Sequence, residues 1–282
     1  IIEKPYENIF KEYTGKEYED TISQGDVKYH LGYENEVITD FQKKVKLKLM
    51  PNPSHLETVA PIVEGMVRSQ INSIYKGDYD KAAAIIIHGD AAIATQGVVY
   101  ETTQMSQLPG YKTGGTIHLV INNQVGFTTP YTEARSSTYC TDVAKVTRSP
   151  VFHVNGDDVE SLIYTVKLAM EFRQKFHADV FIDILCYRKY GHNEGDEPRF
   201  TQPMLYKAIA NHKNPRDIYS EKLEELGIMT REESKSEIRK FDQLLEGKYT
   251  ESEKIQKVKI RKFLINEYES YDMPQKVTFN ES

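Results

Sequence analysis

The sequence has no tryptophan, only two cysteines and no long apolar run. Cys140 and Cys186 lack the close spacing of metal ligands, which argues against a zinc site or a disulfide framework and favours a reducing compartment. Without an apolar run of about 18 residues, a transmembrane helix is excluded. The formal net charge of -6 has the wrong sign for a dedicated nucleic-acid binder. We therefore expect neither nucleic acid nor a membrane as a partner.

The chain also lacks an initiator methionine, because it begins Ile1-Ile2. A secretory signal peptide needs a basic segment followed by an apolar one, and the opening IIEKPYENIF has neither. We therefore expect an internal piece of a longer protein, located in a bacterial cytoplasm or a mitochondrial matrix. With 39% hydrophobic residues, the chain has enough apolar material for a sizeable packed core.

The middle of the chain alternates between short apolar runs and helical patterns. The continuous run from Ala82 to His88 is typical of a strand buried on both faces. A helical pattern follows from Gln96 to Leu108, and a second strand-like run covers Thr116 to Ile121. Strand, helix and strand over this length predict a crossover unit, which is the building block of parallel sheets.

The same pattern repeats further along the chain. Residues 151–154 and 180–185 are predicted strands, and Asp157 can cap a helix between them with Glu160 at its third position. The predicted buried stripe of that helix is Leu162, Ile163, Val166, Ala169, Met170 and Phe176. Two such units predict an α/β fold with an open, mostly parallel sheet and helices on both faces.

We predict three segments along the chain. Residues 1–25 form a lead-in segment, expected to be a surface arm, and residues 26–205 form the α/β domain. Residues 206–282 form a charged helical connector that is too thinly apolar to be a domain alone.

Two capping boxes predict where helices of the connector begin. They pair Thr230 with Glu233, and Thr250 with Glu253. The first of these helices has a narrow apolar stripe formed by Ile238, Phe241, Leu244 and Leu245.

Polar residues follow two of the predicted strands. The first strand ends in the run His88-Gly89-Asp90-Ala91-Ala92, and the second ends in Asn122-Asn123-Gln124-Val125-Gly126. If the strands are neighbours, both turns lie at the carboxyl edge of the sheet, where ligands bind in such folds. Carboxylate, carboxamide and backbone carbonyl oxygens, together with phosphate oxygens, suit Mg²⁺. Small residues let a diphosphate approach the backbone, and the helix beginning near Gln96 offers it N–H groups.

These blocks resemble a known family. GDAAIATQGVVYE followed by GGTIHLVINNQVGFTT is similar to the thiamin-diphosphate motif, which begins Gly-Asp and ends Asn-Asn. The particular residues within the motif resemble those of the decarboxylating dehydrogenase component of the 2-oxoglutarate dehydrogenases. The resemblance covers most of residues 25–206 and continues through the blocks GDVKYHLG, NPSHLE, ARSSTYCTDVAK, VFHVNGDD, CYRKYGHNEGDEP and TQPMLY.

The resemblance implies a thiamin-diphosphate-binding fold with a magnesium ion. It implies that Asp90, Asn123 and the carbonyl of Val125 bind Mg²⁺, and that Gly89 and the neighbouring alanines lie against the diphosphate. Those alanines are Ala91 and Ala92. The wider thiamin family usually has glycine where Ala91 stands, and the oxoglutarate branch shares the alanine, which argues against transketolase-like and acetolactate-synthase-like enzymes.

Three loop histidines are the other candidates for chemistry. His30, His55 and His192 stand beside glycine or proline in polar loops, where a scaffold usually displays functional groups. The resemblance implies that His30 and His55 belong to the active-site channel, and that His192 and Asn193 belong to the GHNE block of the active site. The remaining strand and helix histidines are interpreted as structural.

Two further residues of the ARSSTYCTD block, Arg135 and Asp142, are interpreted as members of ion pairs rather than as ligands. Cys186, on an apolar strand, is interpreted as a packed thiol. Cys140 is loop-borne and has no evident activating partner.

The resemblance implies oxidative decarboxylation of 2-oxoglutarate, with transfer of the succinyl group to a lipoyl domain of the succinyltransferase component, in the tricarboxylic acid cycle. It also implies a homodimer for the full-length protein. A 2-oxoadipate-preferring relative stays open, since one methylene of substrate length is worth only about 1–3 kcal/mol in a pocket.

Two alternative functions come from other classes of protein. A non-catalytic nucleotide-binding or assembly module stays open. An aspartate-nucleophile phosphotransferase would need a lysine and a second acid in strand-end loops near Asp90, and the sequence has no such pattern.

Thiamin enzymes also use a glutamate from a second, pyrimidine-binding α/β domain and, in this family, an upstream arginine block. No segment of the sequence resembles either. We therefore predict that the 282-residue chain alone is inactive, since it holds only the diphosphate half of the site. The check is turnover of 2-oxoglutarate with ferricyanide as electron acceptor, and measurable turnover by the isolated chain would refute this prediction.

Overall fold

A computed structural model describes residues 2–14 and 30–257. It divides into two compact units, Ile1–Asn52 with Ile238–Ser282, and Pro53–Glu237. Residues 15–25 of the predicted lead-in segment and residues 258–282 of the predicted connector lie outside the described part. The three predicted segment boundaries stay a prediction.

The first unit combines a helix, a hairpin and the end of a long helix. Its elements are α1 (Tyr6–Tyr13), β1 (Tyr33–Ile38), β2 (Lys44–Leu49) and the end of the helix Arg231–Glu253. The two strands pair antiparallel, with Tyr33 opposite Leu49. The lead-in segment was expected to be a surface arm, but part of it forms the helix α1. This helix buries Lys11 and Glu12, and Lys4 pairs with Glu12 at 2.5 Å.

The second unit is built on a four-stranded sheet that is parallel throughout. Its strands follow the order β3-β4-β8-β7, and the short pair β5-β6 is separate. The elements are α2 (Val59–Ser73), β3 (Ala84–Gly89), α3 (Asp90–Thr95), α4 (Gly97–Met105), β4 (Thr116–Asn122), β5 (Val125–Gly126), β6 (Thr129–Pro130), α5 (Tyr131–Ala134), α6 (Ala144–Thr147), β7 (Val151–Asn155), α7 (Val159–Phe176), β8 (Val180–Leu185), α8 (Pro203–Asn211), α9 (Pro215–Glu225) and α10 (Arg231–Glu253). Two 3₁₀ helices lie at Cys140–Val143 and Pro198–Phe200.

The predicted fold class is confirmed. All four predicted strands form, and two strand–helix–strand crossovers connect β3 to β4 and β7 to β8. Helices cover both faces of the sheet. One core cluster joins α3, α4 and α6 to Val120 and Phe181, and another joins α7 to Ile117, Val180 and Ile182.

Burial differs from the sequence prediction at β3. The strand alternates between buried and exposed residues, with Ile85 51% and Ile87 64% exposed. The prediction of burial on both faces was therefore wrong for the described residues. The physical reason is that β3 is an edge strand. On the face of Ile85 and Ile87, α7 packs chiefly on β4, β7 and β8.

The helix between β7 and β8 also differs in detail. Its N-cap is Asp158 rather than Asp157, because the Asp158 side chain accepts the Ser161 N–H. In the predicted stripe, Ala169 is buried, and Leu162 and Met170 pack on the core. The other three members of that stripe are exposed, namely Ile163, Val166 and Phe176.

In the connector, the first capping box is confirmed. Thr230 Oγ1 accepts the Glu233 N–H at 3.2 Å, and Glu233 Oε2 accepts the Thr230 N–H at 2.8 Å. The second is wrong, because α10 continues past Thr250, whose hydroxyl donates to the Glu246 carbonyl instead. In the apolar stripe, Phe241 and Leu244 are exposed, although Phe241 also touches Tyr6 of α1 edge to face.

No helix in the described ranges is long and apolar enough to cross a membrane.

Arg173 of α7 ties together the backbone at the amino ends of the strands. It is fully buried, and its guanidinium donates to four backbone carbonyls. Those acceptors are Gly115 at 3.0 Å, Tyr79 at 2.8 Å, Ala82 at 2.7 Å and Thr113 at 3.2 Å. The charge is thus satisfied by carbonyl dipoles, which a buried cation requires.

We expect Arg173→Met to lower the free energy of unfolding by at least about 3 kcal/mol, because several buried carbonyls lose their donor at once. Urea denaturation checks this. The matched control is Lys167→Met on the exposed side of the same helix, for which we expect a change within about 0.5 kcal/mol. Equal effects of the two substitutions would contradict the assigned role.

Glu64 of α2 lies in a buried polar cluster at the same end of the sheet. Its Oε1 accepts the Thr116 hydroxyl at 3.1 Å, while Asp179 accepts the Thr116 N–H at 2.9 Å. Burial, followed by the negative charge of Asp179, raises the pKa of Glu64 from 4.5 to about 7, and the Thr116 hydrogen bond opposes this.

Because the folded state holds a proton that the unfolded state releases, we expect Glu64 to make stability fall as pH rises from 4.5 to about 7. Glu64→Gln should remove this part of the pH dependence, as measured by denaturant unfolding across that window. Glu171→Gln, at an exposed site on α7, is the control and should leave the slope unchanged. An unaltered slope in Glu64→Gln would count against the prediction.

Candidate functional site

The polar turns after β3 and β4 lie side by side. The two strands are parallel neighbours with Gly89 opposite Ile121, which is the condition for both turns to share the carboxyl edge of the sheet. The turns touch so closely that a Cβ built on Gly126 would lie 2.5 Å from the Cβ of Ala91. Glycine is therefore required at position 126. This contact brings the Asp90 and Asn123–Val125 segments to one edge of the sheet.

Asp90 is the first residue of α3 and is 2% exposed. Burial raises the pKa of its carboxyl group, and the charge of Arg135 and the backbone N–H groups of Asp90 and Asn123 oppose that rise. The Asn123 N–H thus lies beside the carboxylate. Arg135 Nη1 is 3.4 Å from Asp90 Oδ2.

The second turn presents oxygens. Asn123 Oδ1 accepts the Val125 N–H at 3.2 Å, and Gln124 adopts a left-handed conformation with φ 69°. The turn is fixed to the end of β8, because Gln124 Nε2 donates to the Cys186 carbonyl at 2.9 Å and the Cys186 N–H donates to the Asn122 carbonyl at 2.9 Å.

The chemistry of these donors fits magnesium. Asp90 supplies one carboxylate, and Asn123 and Val125 supply a carboxamide and a carbonyl oxygen, which are hard ligands. Magnesium needs only one or two carboxylates when phosphates complete its shell. The part of the chain that the structure describes has no cluster of three or more His, Cys, Asp or Glu side chains able to hold a metal. The roles of these three residues stay a prediction.

The helix predicted to begin near Gln96 is confirmed as α4, for which Gln96 is the N-cap. A short helix that the sequence pattern did not indicate, α3, precedes it and contains Asp90, Ala91 and Ala92. Gln96 is an extended residue that separates α3 from α4. An added Cβ on Gly89 would meet no atom within 4 Å, so space remains open in front of that residue.

Arg135 is the site residue that sequence reasoning missed. Its predicted ion pair exists, but the partner is the candidate metal ligand Asp90. The guanidinium also lies over the Tyr131 ring, 5.3 Å from its centroid. The only sequence signal was a single arginine shortly after the Asn-Asn turn. Asp142 instead pairs with Lys145 at 2.7 Å.

Asp183 of β8 contacts side chains that border the candidate site. Its Oδ1 accepts Asn122 Nδ2 at 3.0 Å and the Cys140 thiol at 3.8 Å, and its Oδ2 lies 2.8 Å from His153 Nδ1. Burial, followed by the Asp183 charge, raises the pKa of Cys140 to about 12. Burial, followed by the charge of Asp90, raises that of Cys186 to about 11. Both thiols therefore stay protonated near neutral pH and are poor nucleophiles.

A chain of buried side chains connects the NPSHLE loop to the sheet. His88 Nδ1 lies 2.6 Å from Glu57 Oε2, and His88 Nε2 lies 2.9 Å from His118 Nδ1. His118 Nε2 in turn is 3.8 Å from Asp179 Oδ2. Exposed His55 stands two residues before Glu57, so this chain holds the loop near the end of β3.

His192 and Asn193 are both exposed. The His192 ring lies against the ring of Phe127, with the centroids 4.8 Å apart. Because Phe127 is two residues after Val125, this contact brings His192 close to the second turn. The Asn193 N–H donates to Asp196 Oδ2 at 2.9 Å. His30 belongs to the first unit, where its carbonyl accepts the Asn52 N–H at 3.0 Å. The roles of His30, His55, His192 and Asn193 stay predictions.

Comparison with known proteins identifies relatives along nearly the whole chain. A family model described as "Dehydrogenase E1 component" matches residues 2–261. The chain is 46% identical over 98% of its length to "2-oxoglutarate dehydrogenase, mitochondrial" of Schizosaccharomyces pombe, covering 27% of that protein. It is 50% identical over 83% of its length to the protein of the same name from Dictyostelium discoideum, covering 23%.

A bacterial relative gives the same result. The chain is 47% identical over 83% of its length to the "2-oxoglutarate dehydrogenase E1 component" of Haemophilus influenzae, of which it covers 25%. The chain thus spans about a quarter of the length of the curated relatives it matches. Its resemblance to this family is confirmed, and the chain belongs to the dehydrogenase E1 component family.

Proposed function

We propose that the second unit is the magnesium-diphosphate half of a thiamin-diphosphate site, in a protein that decarboxylates 2-oxoglutarate oxidatively. The observation that carries this proposal is the contact between the Asp90 turn and the Asn123–Val125 turn at the carboxyl edge of the sheet. The names of the relatives supply the substrate, and they favour 2-oxoglutarate over 2-oxoadipate.

In this proposal, Asp90, Asn123 and the Val125 carbonyl hold Mg²⁺, and the ion holds the diphosphate. The small residues Gly89, Ala91 and Ala92 leave room for the diphosphate near the backbone. Asp183 keeps Asn122 in place, and so keeps the start of the second turn in register. When bound, thiamin diphosphate supplies the electron sink for loss of CO₂, which is the chemistry of the cofactor.

The polar loops around this edge handle the substrate. His55 and His192 are exposed imidazoles, and His192 lies against Phe127, just after the second turn. Both can donate hydrogen bonds to a carboxylate or to the ketone oxygen as it gains negative charge. Asn193 belongs to the same loop as His192, and we assign His30 to the same channel from its motif. The Glu57–His88 contact orients the loop that carries His55.

The wider assembly is part of the proposal. We infer that the succinyl group passes to a lipoyl domain of a succinyltransferase component and that the full-length protein is a homodimer. The relatives include mitochondrial and bacterial proteins, and we assign this chain to a mitochondrial matrix or a bacterial cytoplasm.

The metal assignment is tested by Asp90→Ala in the full-length protein. We expect binding of thiamin diphosphate with Mg²⁺ to weaken by more than about 100-fold in calorimetry, since even indirect supports of metal ligands are worth about 10–100-fold. Asp40→Ala, in the exposed turn of the β1–β2 hairpin, removes the same charge elsewhere and should bind normally. Unchanged binding by Asp90→Ala would favour a non-catalytic assembly module instead.

A further inference from the structure

Arg135 is an under-satisfied buried cation at the candidate metal site. Its side chain is 8% exposed, and its one carboxylate contact, to Asp90, is long at 3.4 Å. Arg135 Nε is buried and has no hydrogen-bond partner in the part of the chain that the structure describes. Guanidinium groups inside proteins are normally satisfied at most of their donors, because burying a charge is costly. Arg173 shows that standard in this chain, with four carbonyl partners.

The position of Arg135 is controlled by the second ligand turn. The Tyr131 N–H at the start of α5 donates to the Gln124 carbonyl at 3.0 Å, and Arg135 is the C-cap that follows the last residue of α5. The Tyr131 ring also supports the guanidinium. One short segment therefore fixes Arg135 relative to both the Asn123–Val125 turn and Asp90.

We propose that Arg135 is an internal cation that competes with the metal for Asp90 and, once the metal takes that carboxylate, donates to the diphosphate. The inference rests on the proposed function. A guanidinium and a divalent ion at one carboxylate repel each other, so one of them must yield. Arginine pairs well with phosphate oxygens because its N–H groups form a planar fork, and Nε is already available.

Arg135 is therefore expected to change metal binding and cofactor binding in opposite directions. Without the diphosphate, Arg135 weakens metal binding, because it occupies Asp90. With the diphosphate, Arg135 strengthens cofactor binding, because it gains a second anionic partner. Metal and diphosphate therefore bind cooperatively. A merely structural arginine would not give opposite signs, since loosening the site would weaken both ligands.

The test measures Mn²⁺ binding to the full-length protein from the paramagnetic resonance signal of free Mn²⁺. For Arg135→Gln we expect about tenfold tighter Mn²⁺ binding alone, and about tenfold weaker binding of thiamin diphosphate at saturating Mn²⁺. Arg135→Lys keeps the charge and should stay close to the wild type for Mn²⁺ alone. Arg216→Gln, on exposed α9, removes the same charge elsewhere and should change neither.

Coupling to Asp90 is tested by the double variant. With Asp90→Asn as background, Arg135→Gln should no longer tighten Mn²⁺ binding, because the shared carboxylate is gone. If Arg135→Gln weakens both ligands, or matches Arg216→Gln, the inference is overturned while the proposed function stands. If Arg135→Gln does not fold, tight Mn²⁺ binding by Arg135→Lys would equally overturn it. Failure of the wild type to bind Mn²⁺ with thiamin diphosphate would overturn both.

Discussion

The parallel pairing of β3 with β4 is the constraint on which the rest of the site depends. It places the residues that follow each strand at one edge, and the contact between Gly126 and Ala91 sets how close the two turns come. Neither turn is a binding site alone, because each contributes only one or two oxygens. Their proximity makes a set of hard donors that a magnesium ion and a diphosphate can complete. A side chain at position 126 would separate the turns before it changed any ligand.

The two ends of the sheet carry different sets of buried polar residues. At the amino ends of the strands, Arg173 donates to backbone carbonyls, and Glu64 shares Thr116 with Asp179. At the carboxyl ends, Arg135 Nε and Asn122 Oδ1 have no hydrogen-bond partner among the described residues, and the same is true of Asp179 Oδ2 at the amino end. Buried polar groups are usually paired, so the unpaired Arg135 Nε beside Asp90 is consistent with a site that its ligands complete.

The proposed function gives the Asp90 carboxylate two competing roles at that edge. Asp90 is buried enough to need a cation, and Arg135 provides one within the chain. An ion pair held at 3.4 Å with a free donor is weak compared with the saturated Arg173, so a divalent ion can displace it. A site built in this way keeps its carboxylate charged and in place without blocking the ion. The supports behind it, Asp183 and the Glu57–His88 pair, are buried and tightly bonded.

The sequence by itself determined the four strands, the two crossover units and the candidate ligands, because apolar periodicity and turn residues are local signals. It also indicated the family, since the motif blocks are long and ordered. Only the tertiary structure decided that β3 is exposed on one face, that Asp90 begins a short helix, and that Arg135 faces Asp90. Those features depend on which strand lies at the sheet edge and on contacts between residues 45 positions apart. Burial and charge pairing are properties of neighbours in space, and the spacing of residues along the chain does not encode them.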